Sequence, residues 1–273
     1  MVVPPSLLLK MPSESFKSAV KITHIGTATA LIDIDGVIFL TDPAFDPAGS
    51  EYPIPGHGSL LNSVGPALEI NQLPHIDAVL LSHEDHEDNL DHKGRTLLEG
   101  RKVYTTQDGA RKLQPRPDIF GFAPWESRHV TVGHKNFKIT ATFCKHFMGE
   151  TVGFMIECDS FGTDTKTGLP NAIWFGGDTV NTPELLQIKD KWHVVVAILN
   201  LGNAMAGDLQ ITMSGHDAAI LCQDLGVEYI CPIHFEGWRH FTEHGEDLKK
   251  SLVGEGIAER VRWLKLGEAV QVV

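Results

Sequence analysis

The chain has 273 residues and a formal net charge of −12; 42% of its residues are hydrophobic and 21% are charged. This composition is typical of a folded globular protein and argues against a disordered or low-complexity chain. The acidic balance argues against nucleic-acid binding, which depends on Lys and Arg neutralising phosphates. No apolar run approaches 18 residues, so we expect no membrane span. Four cysteines without a CxxC spacing favour reduced thiols and a cytoplasmic location.

The N-terminal part of the chain predicts a leader followed by a β-meander. Residues 1–18 are expected to form a loosely held leader. Their leucine run is too short for the apolar region of a signal peptide. Strands are predicted at residues 20–25, 30–34 and 37–40, with Asp35-Gly36 as a hairpin turn. The segment 43–67 is rich in proline and glycine and predicts a long functional loop. We find no linker and expect one domain over residues 1–273.

Four of the predicted strands end beside a residue that can bind a metal ion. The strands and the residues that follow them are 77–82 with His83, 136–144 with His146, 172–175 with Asp178, and 229–233 with His234. Side chains at the carboxyl ends of strands converge on one edge of an α/β layer, where such sheets place their ligand sites. The positions therefore predict a common site.

The turn after the first of these strands is dense in ligand-type residues. Residues 83–91 read HEDHEDNLD, and seven of these nine are His, Asp or Glu. Zn²⁺ and similar ions take neutral imidazoles and carboxylates. Asp178 follows two glycines and has room to bridge two ions. The candidate metal ligands are His83, His86, Asp88, His146, Asp178 and His234.

The stretch LLSHEDHEDNLD resembles the HxHxDH signature of the metallo-β-lactamase fold superfamily. The segments THIGTATALIDIDGVIFLTDP, FCKHFMGETVGFMIE, IWFGGDT and PIHFEGWRHFTE resemble its supporting segments in order and spacing, over residues 21–243. The set is similar to the lactonase-like and N-acyl-phospholipid-hydrolase-like branch. The resemblance implies an α+β four-layer αββα sandwich, with one or two metal ions at the sheet edge and a metal-bound hydroxide as nucleophile.

The resemblance also implies a role for each candidate ligand. His83, His86 and His146 would form the first metal site. Asp88, Asp178 and His234 would form the second, with Asp178 bridging the two. Asp88 and Asp178 are the expected catalytic residues, which orient the nucleophile and return a proton to the leaving group.

The motif departs from the family pattern in one respect. Two residues, Glu84 and Asp85, separate the first two histidines, where the family has one. With a one-residue bulge, His86 and Asp88 keep their family roles and Asn89 takes the place of the last histidine. Without the bulge, Asp85, Glu87 and Asp88 replace the second histidine, the aspartate and the last histidine. In both alignments the second site loses an imidazole, which favours Mn²⁺ or Fe²⁺ there, or a single ion.

Further residues are candidates for contacting substrate or for supporting a ligand from behind. Side chains that hydrogen-bond to metal ligands orient them. For His216 we favour a surface position, and for Asn89 an amide hydrogen bond. The candidates are His24, Asp42, Asp85, Asn89, His216, Trp238 and His240.

The function that we predict is a metal-dependent hydrolase acting on a small ester, lactone, amide or phosphodiester. Zn²⁺ is the expected ion, with Mn²⁺ or Fe²⁺ as alternatives. Two other functions stay open: a non-catalytic or ligand-sensing metal-binding protein with a degraded second site, and a mononuclear iron oxidoreductase on the same fold. The expected partners are a small-molecule substrate and a second copy of the chain in a homo-oligomer.

Overall fold

Two β-sheets form the centre of the computed structural model, which describes residues 16–54 and 58–273. The first sheet has seven strands. In spatial order they are β17 (Ala269–Gln271), β1 (Val20–Gly26), β2 (Thr29–Ile34), β3 (Val37–Thr41), β6 (Ala78–Leu80), β7 (Lys102–Thr106) and β8 (Ile119–Phe122).

The second sheet has six strands. In spatial order they are β16 (Tyr229–Ile233), β13 (His193–Asn200), β12 (Asn171–Phe175), β11 (Val152–Cys158), β10 (Lys135–Phe143) and β9 (Ser127–Val132). Strands β12, β13 and β16 run parallel, as do β3, β6, β7 and β8. Their carboxyl ends therefore meet at shared edges, as the sequence predicts.

The side chains between the sheets form the largest core cluster, and strands β11, β12, β13 and β16 of the second sheet have buried side chains on both faces. Along β13, Val196 and Ile198 contact the inter-sheet core, whereas Ala197 and Leu199 contact the outer layer. This alternation follows from the two-residue period of a strand. A strand covered on both faces needs a continuous apolar run, which explains the sequence VVVAIL.

Helices and short 3-10 turns cover the outer faces. The helices α2 (Gly215–Leu225) and α3 (Gly245–Gly254) and the 3-10 segment Pro183–Asp190 pack on the second sheet. A 3-10 segment at Gly94–Leu98 and the helix α1 (Gln107–Lys112) flank the first sheet, whose outer layer includes Leu97, Leu98 and Leu113. The order of layers agrees with the predicted α+β αββα sandwich.

Local signals in the sequence account for several of these elements. Asp35 and Gly36 have φ values of 51° and 88° and connect β2 to β3, which confirms the predicted hairpin turn. Helix α2 begins after Ser214, whose side chain accepts a hydrogen bond from the Asp217 N–H, and it ends at Gly226 in the left-handed region. The Ser N-cap and Gly C-cap are the expected terminators.

The structure corrects three local predictions. The leader prediction for residues 1–15 lies outside the described residues, but Phe16 is buried and stacks on Phe161 with ring centroids 4.7 Å apart, so the packed chain begins before residue 18. The long loop contains a hairpin, β4 (Glu51–Ile54) and β5 (Gly58–Leu61). The sequence Thr182-Pro183-Glu184, with a threonine N-cap and a proline at the first position, predicts an α-helix, but residues 183–190 form a 3-10 segment.

None of the described helices is long and apolar enough to span a membrane.

Candidate metal centre

Three histidine side chains from two different strand ends meet at the edge between the sheets. His83 and His86 follow β6, and His146 follows β10. Nδ1 of His86 lies 3.0 Å from Nε2 of His83 and 3.2 Å from Nε2 of His146. These three nitrogens lie within 4.8 Å of one another. We call these residues the three-histidine set.

Hydrogen bonds on the far side of two rings determine where their lone pairs point. Nδ1 of His146 lies 2.8 Å from the Ile211 carbonyl oxygen, which can only accept, so this nitrogen carries the proton. Nδ1 of His83 lies 2.8 Å from Oγ of Ser82. Because the Ser82 hydroxyl donates its hydrogen to Asp42, Nδ1 of His83 must be the donor in this second contact. Both Nε2 atoms therefore present lone pairs toward the same point, an arrangement that a cation stabilises.

Asp42 anchors the three-histidine set from behind. It accepts hydrogen bonds from the Ser82 N–H at 2.6 Å, the Ser82 hydroxyl at 2.7 Å and the Asn89 Nδ2 at 3.0 Å. Burial raises the pKa of Asp42 to about 7, although the hydrogen bonds from Ser82 and Asn89 act to lower it. The chain Asp42–Ser82–His83 orients the imidazole, a role expected of groups behind a metal ligand.

A second cluster of donors lies next to the first. The ligand atoms of Asp88, Asp178 and His234 lie within 4.8 Å of one another, and all three residues are buried. Nε2 of His234 is 3.4 Å from Oδ2 of Asp88 and 3.6 Å from Oδ2 of Asp178. This nitrogen is buried and has no hydrogen-bond partner. We call these residues the carboxylate set.

Asp178 connects the two sets. Its Oδ2 lies 3.9 Å from Nε2 of His146 and 3.6 Å from Nε2 of His234, whereas its Oδ1 accepts a 2.6 Å hydrogen bond from Nδ2 of Asn200. Gly177, with φ of 63°, forms the turn before it, and a Cβ at Gly177 would lie 2.7 Å from the Val152 carbonyl oxygen. Only glycine fits this turn. The carboxylate thus faces one donor of each set, and the bridging role expected from the sequence stays a prediction.

The two sets differ in their protonation. Burial, with the neighbouring His86, lowers the pKa of His83 well below its usual value, and burial lowers that of His146. Burial also acts to lower the pKa of His234, but Asp178 and Asp88 outweigh it and raise the pKa to about 9. Burial acts to raise the pKa of Asp88, yet His234 and His240 hold it well below its usual range. Without an ion, the carboxylate set therefore retains a proton at neutral pH.

The bulged alignment of the motif matches the structure. His86 and Asp88 belong to the two sets, as that alignment requires. Asp85 is exposed and lies 3.4 Å from Nζ of Lys112, so it does not take the place of the second histidine. Glu84 is buried and pairs with the same lysine at 2.8 Å. The acidic cluster of Glu84, Asp85 and Asp108 needs no ion, because three cations, Lys112, Arg95 and Arg111, pair with its three carboxylates.

The remaining candidates divide between support for the site and the surface. His24 Nε2 lies 3.0 Å from the Thr27 carbonyl oxygen, which also accepts the His234 N–H at 2.8 Å, so His24 supports the His234 turn without lining the cavity. Trp238 is buried, and its Nε1 donates to the Thr27 hydroxyl oxygen at 2.8 Å. His216 is exposed and pairs with Glu255, away from the cavity, which agrees with the favoured surface position.

Sequence reasoning missed two supporting residues. Ser82 directly precedes His83, and Asn200 ends β13, so both lie at strand ends like the candidate ligands. The same positional rule could have identified them. Ser and Asn are ordinary residues at strand ends, however, and only their contacts with Asp42 and Asp178 distinguish them.

Both sets open into a cavity of about 560 Å³. Its floor includes His86, Asp88, His146, Asp178, His234 and His240. Apolar wall residues include Leu60, Met148, Met205 and Ile211, and Asp85 and Glu87 also line it. Among the described lining residues there is no Lys or Arg. A pocket of this size with convergent polar groups fits a small molecule.

The donor chemistry of both sets fits divalent ions. The three-histidine set offers neutral nitrogens, which Zn²⁺ prefers. The carboxylate set offers two carboxylates and one imidazole, and its buried His234 nitrogen lacks a partner. Buried polar groups are normally satisfied, so this nitrogen is a candidate metal ligand.

Comparison with known proteins agrees with the fold and places the chain in a family. The profile of the beta-lactamase superfamily domain matches residues 38–235. The chain therefore belongs to the beta-lactamase superfamily. The match begins within β3 and ends directly after His234, so it includes every residue of the two donor sets.

The chain matches two curated relatives over only part of their length. A UPF0173 metal-dependent hydrolase of Solibacter usitatus is 30% identical over 125 residues, 45% of this chain and 46% of the relative. An uncharacterized protein of Mycobacterium tuberculosis is 38% identical over 234 residues, 81% of this chain and 60% of the relative. The chain thus spans roughly half to three fifths of the length of these relatives.

Solved structures share the fold at low sequence identity. An isothiocyanate hydrolase from Delia radicum gut bacteria aligns with a TM-score of 0.76 and 21% identity, over 92% of this chain and 98% of the other. A possible metal-dependent hydrolase from Veillonella parvula aligns with a TM-score of 0.75 and 20% identity, over 92% and 99%. These alignments confirm the predicted metallo-β-lactamase sandwich.

Proposed function

We propose that the protein is a hydrolase that depends on two divalent ions and acts on a small uncharged carbonyl compound. The observation that carries this proposal is the shared Asp178. Its carboxylate faces one donor of the three-histidine set and one of the carboxylate set, at the floor of the cavity. Two donor sets joined by one carboxylate suit a pair of ions better than a single one.

The residues divide the chemistry between them. Ions held by the two sets would acidify a water molecule and stabilise negative charge on the substrate oxygen. The Asp88 carboxylate, which lines the cavity, orients the water and carries its proton to the leaving group. Asn200 keeps the Asp178 carboxylate in one orientation. Hydrolysis then adds the water oxygen to the acyl carbon and the proton to the departing oxygen or nitrogen.

The cavity supports a choice among the substrate classes. Recognition of phosphate or carboxylate usually requires Arg or Lys. No described lining residue is Lys or Arg, and Asp85 and Glu87 are acidic, so an anionic group would have to rely on the bound ions alone for positive charge. Esters, lactones and amides with an apolar portion therefore fit better than phosphodiesters. A lactone or another neutral carbonyl compound is therefore the proposed substrate, in preference to a phosphodiester.

The donor atoms of each set determine which metal ions it prefers. The nitrogen-rich three-histidine set favours Zn²⁺, and the oxygen-richer carboxylate set also accepts Mn²⁺ or Fe²⁺. All four cysteines are free, which supports the cytoplasmic location expected from the sequence.

The test combines metal content with turnover. Protein purified without chelators is analysed by mass spectrometry and assayed on a neutral aryl ester, a lactone, an amide and a bis-aryl phosphodiester. An isothiocyanate, the substrate class in the name of the Delia radicum neighbour, completes the panel as another small uncharged electrophile. We expect two ions per chain and turnover of at least one neutral substrate in preference to the phosphodiester.

Variants connect the activity to the site. Asp178→Asn should lose both metal content and turnover, whereas His216→Ala, which removes a surface histidine, should keep both. Protein that binds ions but turns over no substrate would instead support the metal-binding function. Protein that binds no ion after loading would overturn the proposal.

A further inference from the structure

The second donor set has only one imidazole, because Asn89 stands where the resembled motif has a histidine. Asn89 is fully buried, and its Nδ2 donates to Asp42. Its amide nitrogen is therefore committed to Asp42, whereas its Oδ1 has no hydrogen-bond partner. A carboxylate ligand needs a partner that fixes its orientation, and Asn89 does not supply one to Asp88.

His240 faces Asp88 from another part of the chain. It follows β16 by seven residues, and its Nε2 lies 3.4 Å from Oδ2 of Asp88. Nε2 of His234 lies at the same distance from the same oxygen. A carboxylate oxygen has two lone pairs, so Oδ2 of Asp88 can accept from both imidazoles.

The ring of His240 is held by its neighbours. Its centroid is 4.6 Å from that of Phe241 and 6.2 Å from that of Trp238, and only 17% of its side chain is exposed. The Met205 N–H donates to the His240 carbonyl oxygen at 3.3 Å. Its Nδ1 is buried and has no hydrogen-bond partner, so the contact with Asp88 is the polar contact that accounts for its orientation.

We propose that His240 compensates for the missing imidazole by donating its Nε2–H to Oδ2 of Asp88, which holds that carboxylate in place for the second ion. His240 is a positioning residue rather than a ligand. The ligand atoms within 4.8 Å of one another are those of Asp88, Asp178 and His234, and His240 is outside that set. The inference rests on the proposed function in one respect, since it requires a second ion.

The experiment measures ion binding rather than activity. Protein stripped of metal is titrated with Zn²⁺ against a chromophoric chelator, which resolves a first and a second affinity. We expect His240→Ala to weaken the second affinity by about 10- to 100-fold and to leave the first unchanged. His240→Gln should remain within a few-fold of wild type, because its amide N–H can reach the same oxygen.

Controls separate positioning from a general loss of structure. His216→Ala is the matched control, since it removes a histidine outside the cavity. Thermal unfolding of the metal-free variants reports whether each one folds. If His240→Ala unfolds on its own, His240→Phe replaces it: this variant keeps an aromatic ring beside Phe241 and Trp238 but cannot donate to Asp88, so it should show the same 10- to 100-fold loss of the second affinity.

Three results would overturn the inference. One is a second affinity in His240→Ala equal to that of wild type. Another is a His240→Gln variant as weak as His240→Ala, which would indicate direct ligation. The third is a wild-type protein that binds only one ion, a result that would also contradict the two-ion requirement of the proposed function. Failure of the proposed hydrolysis alone looks different, because wild-type protein would then bind two ions but turn over no substrate.

Discussion

The hydroxyl of Ser82 donates a 2.7 Å hydrogen bond to the carboxylate of Asp42, and this contact joins the ends of β6 and β3 directly behind His83. The same hydroxyl oxygen accepts from Nδ1 of His83. A serine that is not itself a ligand thereby determines which nitrogen of the histidine faces the site.

Replacement of Ser82 should weaken the first ion. In Ser82→Ala the His83 Nδ1–H loses its acceptor, and the ring can turn or change tautomer. We expect the affinity of the three-histidine set for Zn²⁺ to fall by about 10- to 100-fold. A chelator-competition titration measures this. The matched control is Ser251→Ala in α3, which removes a hydroxyl that donates a hydrogen bond to Glu243. This variant should bind Zn²⁺ like wild type. Equal affinities for both variants would contradict the role of Ser82.

The second ion should bind more tightly as the pH rises. His234 has its pKa raised to about 9 in the ion-free protein, so an ion that enters the carboxylate set below that pH must displace a proton. We expect its affinity to rise by about tenfold per pH unit between about pH 7 and about pH 9. The pKa values of His83 and His146 are lowered, so neither must lose a proton in this range. Titrations in pH-buffered chelator solutions should therefore show a weaker pH dependence for the first ion, and an identical dependence for both would refute this account.

A cation at the cavity mouth should change substrate preference. Met148 is 63% exposed and lines the cavity. In Met148→Lys the new ammonium would attract an anionic substrate by about 1 kcal/mol, so the kcat/KM for an ester that carries a carboxylate should rise about fivefold relative to a neutral ester. The assay compares the two esters in each variant. Val253→Lys places a lysine at an exposed apolar position of α3 outside the cavity and should not alter the ratio.

The turn before Asp178 should tolerate no side chain. Gly177→Ala would place a Cβ 2.7 Å from the Val152 carbonyl oxygen at a φ of 63°. We expect the free energy of unfolding to fall by about 1–3 kcal/mol, since left-handed backbone is strained for alanine. Because Asp178 follows directly, bound metal should also decrease. Denaturant unfolding and metal analysis measure the two effects.

A second glycine provides the comparison for this variant. A Cβ at Gly254, in α3, meets nothing within 4 Å, and its φ is not in the left-handed region. Gly254→Ala should therefore be neutral or stabilising by up to about 1 kcal/mol. If both variants lose the same stability, the close approach at Gly177 is not the cause of its loss.

Several strands and turns could be predicted from the sequence because their signals are local. The Asp35-Gly36 turn, the apolar run of β13 and the caps of α2 each depend on residues that are adjacent in the chain. The hairpin β4–β5 was missed because its strands have four residues each and lie among prolines. The packing of Phe16 on Phe161 was missed because the two residues are far apart in the chain.

The sequence by itself determined which kinds of donors this protein brings together, because His83, His146, Asp178 and His234 each follow a strand and the carboxyl ends of such strands share an edge. Only the tertiary structure decided which neighbours join them. The bulge turns Asp85 toward Lys112 and His86 toward His146, and the fold brings His240 to Asp88 while His216 stays on the surface. The direction of a side chain depends on contacts with distant segments, and these contacts leave no local pattern in the sequence.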